Sequence, residues 1–205
     1  MTPEKIEALF TRADGTYLFA RWGRPIVPVV FGVDDETLAL MKGAIEAVVA
    51  LAGHKMAETD AELGANLMVF FCRDWEELPE VPNLNQLIPD LATLCGRLIG
   101  TGANQYRAFR FDAAGAIKAA FVFLRMDAAL AAMDAADLAL VQAVHVICLW
   151  SDRAFVDRSA FATVSGQLVL QPDIAAVIAV AYDPVLPAVA RDPAHALRLA
   201  ARVVV

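Results

Sequence analysis

Residues 34–53, "DDETLALMKGAIEAVVALAG", decide the fold class together with the runs that flank them. Asp34 sits at a cap position, acidic residues fill the first turn, apolar residues recur at helical spacing, and Gly53 stands just past the end, so the stretch reads as a helix. Before it, "ARWGRPIVPVVFG" is extended and valine-rich; Pro25 and Pro28 each remove a backbone donor, which suits an edge or bulged strand. After it, "ANLMVFFC" is an unbroken apolar run of strand length and reads as a buried strand. The unit is strand, helix, strand, and a helical crossover favours parallel neighbours.

Working outward, residues 1–20 hold a short segment around "TRADGTY" whose pattern assigns no clear element. The segment "DWEELPEVPNLNQLIPD" carries three prolines and reads as loop, followed by a helix, "LATLCGRLI", closed by "GTG". "QYRAFRF" and "AIKAAFVFLRM" flank "DAAG", a hairpin signal. Asp134, with Asp137 three places later, forms an aspartate version of the capping box and starts a helix through "DLALVQAVHVICLW". Beyond it, "SDRAFVDRSAFATVSGQ" reads as a polar loop, a helix runs from Pro172 to Asp183, and Asp192-Pro193 announces a last helix. The order predicts one α+β domain over residues 1–205: a small mixed sheet, a buried central helix and a helical C-terminal part.

Composition excludes several functions. Hydrophobic residues make up 59 % of the 205, enough for a substantial core, yet every apolar run is cut short, by Arg125, Ser151 or Asp183, before the roughly 18 residues a membrane span needs. The net charge is −7 and no run of Lys or Arg occurs, which argues against nucleic-acid binding. The N-terminus lacks the pattern of a leader. The compartment stays open: cytoplasmic for the chain as given, periplasmic if a leader has been removed. Cys72, Cys95 and Cys148 are odd in number and each lies in an apolar neighbourhood, as buried thiols do.

The central helix is the one place where a chemical motif is approached. "VQAVH" has the length and final histidine of H-E-x-x-H, in which two histidines on one helical face grip zinc and the glutamate acts as general base. Here the three positions are Val141, Gln142 and His145. Valine offers no lone pair and a glutamine amide is no base near neutral pH, so standard zinc catalysis is not expected. A helix apolar nearly all round is expected to be buried, with Gln142 and His145 satisfied by hydrogen bonds. Two sharper alternatives are a one-face metal stripe of His145, Cys148 and Asp152, and a Cys148 nucleophile activated by His145. The apolar setting of Cys148 argues for an inert thiol.

Elsewhere, "GTGAN" follows a helix rather than a strand and reads as a helix stop, and "TVSGQ" lacks the first glycine of a G-x-S-x-G elbow and reads as a turn. "WSDRAFVDRSAF" alternates charges with Phe155 and Phe161, as local ion pairs around aromatic anchors or as a recognition loop. His54 follows a helix end, and His195, in the first turn of the last helix, is expected at the surface.

Four places resemble an uncharacterised proteobacterial domain family found mainly in exported proteins and lipoproteins, with a zincin-like, metallopeptidase-like fold. "FARWGRPIVPVVFG" is similar to its opening strand and "ANLMVFF" to its next. The family's Glu-Glu-x-x-Gln-x-Leu-Gly-Leu-x-Asn-Asp would place glutamates at Val141 and Gln142, glutamine at His145, glycine at Cys148 and Asn-Asp at Ser151-Asp152, of which Asp152 is retained. "RSAF" and "QPDIAAVIAVAYDPVLPAVARDPAHALRLA" resemble its closing part. The resemblance implies a divergent member that keeps the scaffold. The expected function is a non-catalytic interaction or envelope-associated domain with a protein or peptide partner and no cofactor. The alternative is a metal-dependent hydrolase in which His145 binds zinc with ligands from elsewhere.

Overall fold

The computed structural model describes residues 1–203. Thr2 opens α1 (Pro3–Phe10), its hydroxyl accepting the Lys5 N–H while Pro3 takes a first-turn position where no donor is needed. Ile6, Leu9 and Phe10 turn inward. After the short β1 (Phe19–Ala20) comes β2 (Pro28–Phe31), then α2 (Asp35–Leu51), capped by the Asp34 carboxylate on the Thr37 N–H at 2.8 Å. The chain re-enters the sheet as β3 (Leu67–Cys72). Fully buried Asn66 ties the re-entry down by accepting from the Val27 N–H and donating to the Pro25 carbonyl, both at 2.8 Å.

A 3-10 turn (Trp75–Glu80), α3 (Leu84–Leu87) and α4 (Leu91–Gly100) follow, leading into the hairpin of β4 (Gln105–Phe111) and β5 (Ile117–Arg125). The rest of the described chain comprises α5 (Ala128–Ala131), α6 (Ala135–Ile147), β6 (Phe161–Val164), β7 (Gln167–Leu170), α7 (Pro172–Ala181), β8 (Val189–Ala190) and α8 (Ala194–Ala200).

The main sheet has four strands in the order β2-β3-β5-β4, the first three parallel and β4 antiparallel to β5. Its central strands are covered on both faces, which is why Leu67–Cys72 of β3 and residues 119–124 of β5 are continuous apolar runs. Alternate residues divide two cores. Leu67 and Val69 of β3 and Ala120, Val122 and Leu124 of β5 face α1, α2, α6, α7 and α8, whereas Phe70, Phe121 and Phe123 face the 3-10 turn, α3 and α4. The aliphatic face receives the packed helices. The aromatic face stacks on itself, with Phe70 and Phe123 centroids 5.1 Å apart.

These observations bear out an α+β fold with a mixed sheet, the parallel crossover through α2, β2 as an edge strand and the β4–β5 hairpin. Three expectations are corrected. Residues 1–20 contain a capped helix and a strand, since β1 pairs with β8 from the far end of the chain. The C-terminal part is not wholly helical: "FATVSGQLVL" is a hairpin of β6 and β7 turned by Ser165 and Gly166, both at positive φ (53° and 84°), a pair suited to a two-residue hairpin turn. His195 is buried, not exposed, because α8 lays it against Phe19, with Tyr17 Oη 3.0 Å from its Nδ1.

Candidate functional site

Helix α6 ends inside the protein, where its last carbonyls cannot reach water. Three aromatic donors satisfy them: Trp150 Nε1 donates to Val144 O and Trp22 Nε1 to Val146 O, both at 2.8 Å, and Tyr182 Oη donates to Ile147 O at 2.6 Å. Asp134 fixes the other end, its carboxylate accepting the Ala136 and Asp137 N–H groups. The helix is thereby tied at both ends, and its Gln142 reaches β4.

On the face that α6 turns to β4, Gln142 is buried and meets two β4 residues. Arg107 Nη2 donates to Gln142 Oε1 at 2.6 Å and to Gln105 Oε1 at 2.9 Å, and Gln142 Nε2 donates to Gln105 Oε1 at 3.2 Å. The acceptors are neutral amides. Among the described residues no carboxylate forms an ion pair with Arg107, and its Nε is buried with no hydrogen-bond partner. Burial lowers the guanidinium pKa to about 10, so it stays charged at neutral pH.

In front of this cation lies an open cleft of about 750 Å³. One wall is six consecutive residues of β4, Tyr106 to Phe111; the other is His145 and the segment that follows α6, including Trp150, Asp152, Phe155 and Val156. Because β4 pairs only with β5, its other backbone edge is open, and a wall of consecutive strand residues means that the cleft runs along this edge. The rim is apolar in places: Val156 is 73 % exposed and Phe111 42 %.

His145 lines the cleft with its ring edge-on to Phe155 at 5.3 Å between centroids. Burial, and then the charge of Arg107, push its pKa down to about 3, so the imidazole is neutral at physiological pH and a weak base. Exposed Asp152 also lines the cleft, with Oδ1 accepting the Ala13 N–H at 3.0 Å. Cys148 does not reach it: the thiol is wholly buried in the aliphatic core, and burial drives its pKa far above that of a free thiol. The structure thus brings Gln142 and His145 to one side, leaves Asp152 at the cleft surface and separates Cys148 from both. Val141 is half-buried and lines no part of the cleft. Among the described residues no three His, Cys, Asp or Glu side chains gather to hold a metal ion.

Arg107 and Gln105 are the site residues that sequence reasoning missed. Their signal is faint: in "QYRAFRF" both fall at alternate positions of a strand, on the face shared with Phe109, where an apolar residue would be expected over a core. No helix of the described residues is long and apolar enough to cross a membrane. Compared with protein-family models, curated proteins and solved structures, the chain matches none.

Proposed function

We propose that the chain is a non-catalytic interaction domain that holds an extended peptide segment of a partner protein along the open edge of β4, on a peptidase-like, zincin-like scaffold of the kind the family resemblance implies, acting at the cell envelope. The observation that carries the reading is the cleft walled by six consecutive edge-strand residues. An extended segment adding to such an edge gains main-chain hydrogen bonds, while side-chain pockets on either face supply selectivity. The half-buried Trp150 and Phe155 and the exposed Val156 give the opposite wall an apolar surface for the segment to cover.

The chemistry within reach supports binding over turnover. His145 is a weak base, the Gln142 amide is committed to Arg107 and Gln105, and Cys148 is a protonated thiol outside the cleft. The alternative, a metal-dependent hydrolase using His145, meets an electrostatic objection, since a divalent cation on that ring would sit beside the uncompensated Arg107 guanidinium.

Panning random eight-residue peptides against the chain, followed by amide hydrogen exchange with a selected peptide, tests the reading. Protection is expected in Gln105–Phe111 and in residues 149–156, with no cleavage of the peptide. Protection elsewhere, hydrolysis, or a dimer formed through β4 that excludes peptides would overturn it.

A further inference from the structure

Three buried guanidinium Nε atoms lack hydrogen-bond partners, those of Arg21, Arg107 and Arg125. Arg125 has the carboxylate of Asp127 at 3.7 Å, and Arg21 lies over the Tyr182 ring at 5.1 Å and donates to Leu186 O. Arg107 has two glutamine amides and the cleft. A cation partly withdrawn from water is stabilised by an opposite charge beside it. In a chain of net charge −7 no carboxylate is paired with Arg107: Asp152, the acidic residue lining the cleft, accepts the Ala13 N–H instead. Arg12, on the same cleft, also forms no ion pair among the described residues.

Resting on the peptide-binding reading above, we propose that the segment bound along β4 carries an acidic side chain that pairs with Arg107, and an apolar side chain two residues away over Phe109. The spacing follows from strand geometry. Side chains opposite one another on neighbouring strands share a face, and that face repeats every second residue. Arg107 and Phe109 both lie on the α6 side of β4, Arg107 through Gln142 and Phe109 against the aliphatic core. Tyr106 and Ala108 pack on the other side. An internal glutamate or aspartate, rather than a chain terminus, fits a cleft that continues past Arg107 along β4 to Phe111.

Gln105 and Gln142 are positioning residues in this arrangement: they hold Nη2 with neutral acceptors and leave the positive charge for the ligand. A glutamate at position 142 would neutralise Arg107 from within.

The test compares three pools of fluorescent eight-residue peptides: internal glutamate two residues from a fixed valine with an amidated C-terminus, the same with glutamine in place of the glutamate, or the glutamine pool with a free C-terminal carboxylate. The glutamate pool is expected to bind the unaltered chain about tenfold or more tighter than the glutamine pool, the scale of one charge-assisted pair. The preference should weaken with salt and disappear in Arg107→Met and in Gln142→Glu, the second of which leaves the arginine in place and so controls for lost structure. Equal binding of the glutamate and glutamine pools would overturn the acidic side chain while leaving the β4 groove standing. Preference for the free carboxylate would overturn the internal position, and failure of all pools to bind would remove the peptide reading itself.

Discussion

At the scale of single residues, the fold holds two histidines neutral: His145, which the sequence marked as a candidate ligand, and His195, which it placed at the surface. His145 is shifted to about pH 3 by burial and then by Arg107, and His195 to about 4 by burial and then by Arg198. The unfolded chain takes up these protons near pH 6.5, whereas the folded chain resists them. Between those values the unfolded state binds more protons, so stability is complete above about pH 6.5 and declines as pH falls toward 4. Urea denaturation from pH 7 to 4.5 should show this decline, and His195→Gln and His145→Gln should each flatten it. An unchanged slope in both variants would mean that other groups set the acid limb. The same scale shows why Arg107 escaped sequence reasoning: an arginine in a strand is ordinarily taken for a solvent-facing residue, and only the approach of α6 leaves it half-buried, with its Nε enclosed and no carboxylate paired with it.

At the scale of elements, α6 shows how local and distant signals divide the work. Its start was readable from Asp134, because a cap is a contact between residues a few positions apart. Its end depends on Trp22, Trp150 and Tyr182, two of which come from remote parts of the chain. Tyr182→Phe keeps the packing and removes the bond to the Ile147 carbonyl, together with the acceptor for the Trp22 N–H. It is expected to cost about 1–3 kcal/mol, the range for stranding a buried polar group. The change should appear as a lower urea midpoint with an unaltered m-value. The β6–β7 hairpin is the converse case. Its Ser-Gly turn is local and was readable as a turn, but the strands are only four residues each and half-exposed rather than buried, so they lack the long apolar run that marks a core strand.

At the scale of the whole molecule, two cores share one sheet. Trp22 is buried near the aliphatic core and Trp75 in the aromatic one, and every residue of β5 from Ala119 to Leu124 points into one or the other. Neither face can lose its strands without exposing the other, so unfolding is expected to be a single cooperative event. In a Trp22→Phe variant, where Trp75 reports chiefly on the aromatic core, the fluorescence transition should coincide with that of far-UV circular dichroism. The reciprocal Trp75→Phe variant should behave likewise. Transitions that separate in either variant would show the aromatic core melting on its own.

The sequence by itself determined the periodic and the local: the buried strands, the capped α2 and α6, the parallel crossover and the hairpin of β4 with β5, since these follow from side-chain alternation and from contacts close along the chain. It also identified Gln142 and His145 as the polar residues of an apolar helix. Only the tertiary structure decided what they face. Placing α6 so that Gln142 reaches β4 turns that residue into a support for Arg107, sets His145 in a cleft with Asp152 and consigns Cys148 to the core. Those outcomes depend on contacts between residues tens of positions apart, which no periodicity records, because the packing of one element against another fixes them.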